Sequence, residues 1–394
     1  MKLAKILAIV MALVLCVGCL AGCGGYTAKN EKIKIGFSGP LTGPAAVYGV
    51  AVQNSAQMAV DEINAAGGLD GIEFELVAMD DKHDAANVAT NYAELFEGGM
   101  QISLGTVTTA PGLEFSKLSA EDNVFFLTPS ASGDKIPEFD NGFQMCFADG
   151  NQGKVAAEFV NGLGKDKIGI FYKSDDPYSK GIYDQFKANL DASITVVETS
   201  FTDANATDFS TQIDTLKNCG FIFMPIYYTP ASQFMTQANE VENNISVYYG
   251  CDGFDGIDAI EGFDISTVKQ EVSYLSHFTS TAPEGPAAEF IAKYNDKYDE
   301  EKEPLNQFGA AAYDCVYAIY EALKVAVANG KEVDADTSAS DMCEILKEVF
   351  NSDSFTFRGI TGKTEGNEKS TISWSADGTV QKEASKYLVK EASN

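Results

Sequence analysis

Residues 33–44 read IKIGFSGPLTGP, and residues 45–68 continue AAVYGVAVQNSAQMAVDEINAAGG. In the first stretch, apolar side chains alternate from Ile33 to Phe37, which is the pattern of a β-strand. In the second stretch, apolar residues recur on one face of a helix, and the Gly67-Gly68 pair ends that helix. A strand, a Gly/Pro-rich loop and a helix in this order predict the first unit of a parallel α/β sheet.

The same alternation of strands and helices continues along the chain, and it starts again after Asn151. The predicted strands are 72–78, 102–105, 124–127, 168–172, 194–197, 221–224 and 247–249. The predicted helices lie near 88–96, 111–120, 181–190, 209–216, 232–241, 287–298 and 308–328. Two successive sets of this kind predict an α/β protein with two doubly wound parallel-sheet lobes.

The segments after Val272 do not make a complete sheet of their own. We therefore expect them to finish lobe 1 and then return to lobe 2, so that the lobes are joined by a hinge of several crossovers. The predicted boundaries are 31–148 with 279–353 for lobe 1, and 149–278 with 354–394 for lobe 2.

Charge and composition exclude several classes of function. The 394 residues include 57 acidic and 28 basic side chains, which give a formal net charge of −29. A nucleic-acid partner is unfavourable at that charge. Arg358 is the only arginine, and His83 and His277 are the only histidines, so material for phosphate clamps, imidazole relays and histidine metal centres is scarce. Serine-hydrolase, zinc-protease and Walker-loop motifs are absent from the sequence, and we expect a binding protein without cofactor or metal rather than an enzyme.

The first 22 residues have the form of a leader. A short basic region precedes the apolar run 6–15, which is too short to span a bilayer. Leu20-Ala21-Gly22-Cys23 resembles a bacterial lipobox, which implies a lipid on Cys23, a tether over 23–30 and an extracytoplasmic protein held at the cell membrane. An uncleaved signal anchor is the alternative.

The five cysteines that follow the predicted leader and Cys23 form no CxxC motif, so a zinc ribbon is not supported. Disulfides and buried free thiols both stay open for this set: Cys146, Cys219, Cys251, Cys315 and Cys343.

Several strings, in order and at matching spacing, resemble the branched-chain amino-acid-binding proteins of bacterial ABC importers. They are Gly39-Pro40-Leu41-Thr42-Gly43-Pro44 with Tyr48-Gly49, 61–68 (DEINAAGG), Gly105-Thr106, 128–132 (TPSAS) and 359–362 (GITG). The resemblance covers nearly all of the chain after Lys32. It implies a type I periplasmic-binding fold, a monomer whose two lobes close on a ligand, and delivery of that ligand to a permease.

The resemblance also implies the residues of the ligand site. A hydroxyl at Thr109 meets the ligand carboxylate. The backbone carbonyl of Ser130, in the Ser130-Ala131-Ser132 loop, meets the ammonium, and the hydroxyl and amide of Ser132 reach the ligand. In lobe 2, Tyr227 contacts the ligand backbone and Asp252 contacts the ammonium. The walls around the ligand side chain are Tyr48, Tyr178 and Phe308. Thr109 and Asp252 stand where the family usually has serine and glutamate, which leaves the identity of the ligand open.

Elementary chemistry supports a zwitterion at these positions. Both charges of an amino acid must be paired or hydrogen-bonded when they leave water. Amides at helix N-termini can hold the carboxylate without arginine, and Asp252 can accept from the ammonium.

Other interpretations stay open. Thr109 and Ser132 could be helix N-caps, Asp252 and Asp255 could be turn residues, and one of Tyr227 and Tyr228 could serve packing alone. The same fold could bind an amide, a urea-like molecule or an aromatic acid. A sensor ectodomain is the third hypothesis, although no later membrane span or signalling domain is evident.

Overall fold

The computed structural model describes residues 31–278, 280, 284–299, 302–362, 369–382 and 385–392. The predicted leader 1–22, the tether 23–30 and Cys23 lie outside the described residues.

Lobe 1 begins with five strands and three helices in alternation. The strands are β1 (Ile33–Gly39), β2 (Phe74–Asp80), β3 (Ile102–Ser103), β4 (Phe126–Thr128) and β5 (Gly142–Gln144). The helices are α1 (Ala46–Ala65), α2 (Ala85–Glu97) and α3 (Thr109–Glu121). The strands pair in the order β2-β1-β3-β4-β5, and every pairing is parallel.

Lobe 2 repeats this design. Its strands are β6 (Lys167–Lys173), β7 (Thr195–Phe201), β8 (Phe221–Met224), β9 (Val247–Gly250) and β10 (Glu271–Ser276). Its helices are α4 (Asp149–Asn161), α5 (Pro177–Asn189), α6 (Ser210–Leu216) and α7 (Tyr228–Asn239). The predicted strands of both lobes are therefore found, whereas α4 and β5 had no counterpart in the sequence prediction.

The last part of the chain contributes to both lobes. It holds helices α8 (Gly285–Lys297), α9 (Gln307–Ala328) and α10 (Ala339–Phe350), and strands β11 (Phe357–Gly359), β12 (Ser370–Trp374), β13 (Val380–Gln381) and β14 (Ser385–Lys390). Helix α9 packs so closely on α1 that a Cβ at Gly309 would lie 2.9 Å from the Ala51 carbonyl oxygen. β14 joins the second sheet, whose order is β14-β10-β9-β8-β6-β7, and it is antiparallel to β10.

The chain crosses between the lobes more than once. It passes from β5 to α4, returns from β10 to α8, and crosses again before β14. This architecture confirms the predicted fold class of two doubly wound lobes with a hinge of several crossovers.

The predicted lobe boundaries stay a proposal, and the small sheet β11-β12-β13 bears on them. The indole nitrogen of Trp374 donates to the Gln144 carbonyl at 2.8 Å, and the Gln144 amide donates to the Gly378 carbonyl at 2.9 Å. These bonds join the small sheet to β5 of lobe 1, which favours a last crossover after Gln381 rather than at residue 354.

No helix in the described part of the chain is both long and apolar enough to cross a membrane.

Candidate functional site

The two sheets share one strand order, and this order locates the site. In each sheet the direction of strand addition reverses beside the first strand, between β1 and β3 and between β6 and β8. Loops at the carboxyl ends of strands separate at such a point and leave a crevice. Loops from both lobes meet there around one small cavity.

This interlobe cavity brings together seven of the nine predicted ligand-site residues. Its volume is about 10 Å³, which is room for about one water molecule. The lining residues are Tyr48, Val107, Thr108, Ser130, Ser132, Tyr178, Tyr227, Asp252, Gly253 and Phe308. Thr109 and Ala131 do not line it, but each adjoins a lining residue in the chain. The ligand-binding roles of all nine stay predictions.

On the lobe 2 side, the Tyr178 hydroxyl organises the turn that carries the acid. It donates to Asp252 Oδ1 at 2.5 Å and accepts from the Gly253 amide at 2.8 Å, and the Cys251 sulfur lies 2.9 Å away. A Cβ at Gly253 would lie 2.6 Å from this hydroxyl and 3.1 Å from the Ile226 carbonyl. Position 253 therefore needs glycine for close approach.

Asp252 is a buried acid, only 5% exposed. Burial raises its pKa to about 6, although the hydrogen bonds from Tyr178 and Gln152 act in the opposite direction. Its backbone amide donates to Gln152 Oε1 at 3.0 Å. The alternative of a turn residue also holds, since Asp252 opens a 3₁₀ turn, Asp252–Phe254.

On the lobe 1 side, two hydroxyls meet a second buried acid. Thr109 Oγ1 lies 3.5 Å from Ser132 Oγ and 3.4 Å from Asp149 Oδ2. Asp149 is the first residue of α4 and is 1% exposed. Its backbone amide donates to the Ser132 carbonyl at 2.8 Å. Burial raises the pKa of Asp149 well above its ordinary value, a hydrogen bond with Ser132 lowers it, and the charge of Asp252 raises it further.

The Ser130-Ala131-Ser132 loop is held by its own strand. The amides of Ser130 and Ala131 donate to the Thr128 hydroxyl at 3.4 and 3.0 Å. The Ala131 carbonyl accepts from the Gln144 side chain at 3.0 Å. The loop is therefore held beside the cavity through its own backbone, by the amides of Ser130 and Ala131 and the carbonyl of Ala131.

Tyr48 connects the two lobes. This side chain is 1% exposed, and its hydroxyl donates to the Gly253 carbonyl at 2.6 Å. Its ring meets Phe308 edge to face at a centroid distance of 4.9 Å. A second interlobe bond lies nearby, from the Thr229 hydroxyl to the Pro44 carbonyl at 3.0 Å.

Tyr227 stacks on Tyr178, with ring centroids 4.3 Å apart and ring planes 10° from parallel. The Tyr227 hydroxyl is buried and makes no hydrogen bond within the described part of the chain. Burial raises its pKa well above 10, and the neighbouring Thr109 amide lowers it. Tyr228 is buried against Tyr48 with a centroid distance of 4.8 Å, so it is the packing member of the tyrosine pair.

The structure also answers other interpretations. Thr109 is not an N-cap, since Thr108 holds that position before α3. Ser132 is not an N-cap either, because Ala148 precedes α4. The described residues hold no group of three or more His, Cys, Asp or Glu side chains that could bind a metal ion. His83 Nδ1 instead lies 2.9 Å from the Thr108 hydroxyl, and burial lowers its pKa to about 4.

Charge in the cleft is negative. No lysine or arginine is among the lining residues that the structure describes. Lys173, a cation near Asp176, is paired with Asp203 at 2.6 Å. Sequence reasoning missed Asp149 and Gln152 because neither their helix, α4, nor the preceding strand, β5, was predicted.

Comparisons with known proteins identify the family of the chain. Residues 32–367 match the family model described as periplasmic binding protein. A Leu/Ile/Val-binding protein, BraC3, of Rhizobium johnstonii is 28% identical over 352 residues, which are 88% of this chain and 93% of the relative.

Solved structures share the fold. The substrate-binding protein LivJ from Streptococcus pneumoniae, in complex with isoleucine, has a TM-score of 0.75 and 25% identity, covering 91% of this chain and 98% of its own. A solute-binding protein from R. palustris, in complex with benzoate, has a TM-score of 0.75 at 17% identity, covering 92% of this chain and 94% of its own. The chain therefore belongs to the periplasmic binding protein family, whose members bind solutes outside the cytoplasm and are not enzymes, and its predicted resemblance to the branched-chain amino-acid-binding proteins is confirmed.

Proposed function

We propose that this protein is the lipid-anchored solute-binding component of an ABC importer. It binds a small amino acid, branched-chain or otherwise hydrophobic, in the interlobe cleft and delivers it to a permease without catalysis. One observation carries this proposal: Asp252, a buried carboxylate, and Thr108, the N-cap of α3, line one small cavity between the lobes.

Asp252 is the acceptor for the ligand's ammonium group. Its carboxylate is oriented by Tyr178 and lies away from bulk water, where a charge-assisted hydrogen bond contributes about 1.5–3 kcal/mol. Because its pKa is raised to about 6, Asp252 is ionised at neutral pH and protonated in mild acid. We therefore expect ligand affinity to fall as the pH drops below about 6.

The ligand carboxylate meets the start of α3. Thr108 is the N-cap, but its side chain makes no capping hydrogen bond, so the first amides of α3 are not satisfied by their own cap. Amides at a helix N-terminus and the helix dipole together favour an anion. The Tyr227 hydroxyl, which lies near the Thr109 amide, adds a donor at this place.

The ligand side chain lies among aromatic rings. Tyr48, Phe308, Tyr178 and Tyr227 supply apolar surface from both lobes. These rings contact one another closely, and the cavity between them is small. Such walls favour an apolar side chain and disfavour a charged one.

An aromatic acid is the second candidate, because the structural relative from R. palustris is in complex with benzoate. Such a ligand is an anion without an ammonium group. It would lie in a cleft lined by Asp252 and with no lysine or arginine among the described lining residues. The charge of the cleft therefore favours the amino acid.

A thermal-shift screen tests the proposal. Purified protein, unfolded and refolded to remove any co-purified ligand, is screened with all proteinogenic amino acids, benzoate and 4-hydroxybenzoate. An amino-acid ligand at 100 times its Kd stabilises the protein by about 2.7 kcal/mol. The Asp252→Asn variant, which keeps the shape but removes the charge, should lose about tenfold or more in affinity. Stabilisation by the aromatic acids alone would contradict the proposal.

The anchor and the lobe movement need separate tests. Incorporation of a labelled fatty acid in a bacterial host, lost in a Cys23→Ser variant, tests the lipid anchor. Small-angle scattering with and without a responding amino acid tests ligand-biased closure, which is the expected behaviour of two lobes that each supply part of the contacts.

A further inference from the structure

The turn that places Asp252 in the first cavity ends at Asp255, which lines a second cavity between the lobes. The volume of this second cavity is about 470 Å³, within the range of about 300–1,000 Å³ that is usual for small-molecule sites. Lobe 2 supplies one wall from residues 255–260 and strands β10 and β14, and lobe 1 supplies the other from α8 and the segment before α9. Among the described residues, the two cavities share no lining residue.

Asp255 is the buried acid of the second cavity. It is 8% exposed, and its Oδ2 accepts from the Gln307 amide at 2.8 Å. Burial raises the pKa of Asp255 to about 6, while hydrogen bonds from Gln307 and Tyr274 lower it, so the carboxylate is ionised at neutral pH. The described lining holds another acid, Asp258, and no lysine, arginine or histidine. A buried negative charge without a countercharge is costly, so a cationic ligand is favoured here.

The other walls of the second cavity are aromatic and apolar. Tyr274 of β10 and Tyr387 of β14 lie side by side, with ring centroids 5.2 Å apart. Aromatic faces attract a cation, and they also bury the apolar body of a ligand. Both lobes add apolar side chains, which are Ile260, Ile291, Leu305 and Val389. An organic cation with an apolar body fits this lining, whereas a carboxylate would meet two acids and no countercharge.

We propose that the second cavity binds a small primary amine, with an apolar body and without a carboxylate, and that this ligand favours the closed form of the protein. The ammonium group donates to the carboxylate of Asp255. A metal ion fits less well, since no group of three or more metal-binding side chains occurs in the described part of the chain. The missing carboxylate separates this ligand from the amino acid of the first cavity.

The second cavity is connected to the first in both lobes. In lobe 2, the Asp255 amide donates to the Asp252 carbonyl at 3.0 Å within one turn. In lobe 1, Gln307, whose amide binds Asp255, directly precedes Phe308, a wall of the first cavity. An amine that contacts both lobes binds the closed form better than an open one, so it should raise the affinity for the amino acid, and the reverse holds by the same factor. This effect, unlike the binding of the amine, rests on the amino-acid-binding function proposed above.

Titration calorimetry with three compounds of similar shape tests the site. The compounds are 3-methylbutan-1-amine, 3-methylbutan-1-ol and 3-methylbutanoate, which carry a cation, a neutral group and an anion on the same branched alkyl body. We expect one amine to bind per chain while the first cavity is saturated with an amino acid that responds in the thermal-shift screen. The alcohol and the acid should bind about tenfold more weakly or less, because neither makes a charge-assisted bond with the carboxylate.

Two variants locate the bound amine. Asp255→Asn removes the charge, keeps the shape and should weaken the amine about tenfold or more. Ala259→Phe fills the second cavity from its wall without changing a charge, so it should weaken the amine as much and tests the site even if Asp255→Asn does not fold. The matched controls are Asp264→Asn and Ala192→Phe, at exposed positions of lobe 2 outside the second cavity. Both controls should stay within about twofold of the wild type.

The outcomes separate this inference from the proposed function. If a bound amino acid excludes the amine, the amine lies in the first cavity and the inference is wrong. It is also wrong if the wild type binds none of the three compounds, if the alcohol binds as tightly as the amine, or if both variants bind the amine as the controls do. An amine that binds but leaves the Kd of the amino acid unchanged refutes the effect on closure. If no amino acid binds, the proposed function fails, and amine binding that both variants weaken still supports the second site.

Discussion

Replacement of Tyr48 by phenylalanine tests whether one hydrogen bond between the lobes controls closure. The variant keeps the ring, its edge-to-face contact with Phe308 and its burial, and it removes only the hydroxyl that donates to the Gly253 carbonyl at 2.6 Å. Because Tyr48 lies in lobe 1 and Gly253 in lobe 2, the bond exists only when the lobes are together. In an open form, water satisfies both groups.

The size of the effect follows from burial. A buried carbonyl that loses its donor costs about 1–3 kcal/mol. This cost destabilises the closed form alone, so a ligand that binds the closed form binds with lower affinity. At about 1.4 kcal/mol for each factor of ten, the Kd should rise about 5- to 150-fold.

The matched control is Tyr320→Phe. Tyr320 also donates to a glycine carbonyl, that of Gly68 at 3.3 Å, but both residues belong to lobe 1. Calorimetry with an amino acid that responds in the screen gives the Kd, and small-angle scattering gives the fraction of closed protein. If the Tyr48 variant and the Tyr320 variant both stay within twofold of the wild type, this bond does not control closure.

The remaining predictions concern packing and pH. Gly253→Ala places a methyl group 2.6 Å from the Tyr178 hydroxyl. We expect this substitution to lower the free energy of unfolding by about 1–3 kcal/mol and to weaken ligand binding. Chemical denaturation measures the effect, and the control is Gly220→Ala, where a Cβ meets nothing closer than 4.0 Å. The unliganded protein should lose thermal stability from pH 5 to pH 8, because buried carboxylates with a folded-state pKa above the unfolded value of about 4 stabilise the fold only while protonated. Scanning calorimetry across that range checks this, and a melting temperature that rises with pH would contradict it. The groups concerned are Asp81, with a pKa of about 7, and Asp176, Asp252 and Asp255, each about 6.

The sequence allowed the sheets to be predicted because their signals are local. Ile33, Ile35 and Phe37 alternate along β1, and the four residues of β8 are all apolar and all buried. Helix α4 was missed because its sequence, from Asp149 to Asn161, mixes glycine, charged and polar residues, and only tertiary packing decides its conformation.

The site was predictable in position but not in its internal bonds. Strand ends and family motifs led to Tyr48, Ser132 and Asp252, which the fold brings together around one cavity. No sequence pattern gives the bond from Tyr48 to Gly253, 205 residues later in the chain, or the contact of Asp149 with Thr109. Such pairs depend on how the lobes meet, which is a property of the whole fold.

The state of the cysteines bears on how this protein matures. All five that the structure describes are buried and free, and their sulfur atoms lie in cores and beside the cleft. Assembly of the described lobes therefore requires no oxidase or disulfide isomerase after export. Unfolding, by contrast, exposes the thiols that the described lobes bury, and exposed thiols can cross-link one molecule to another.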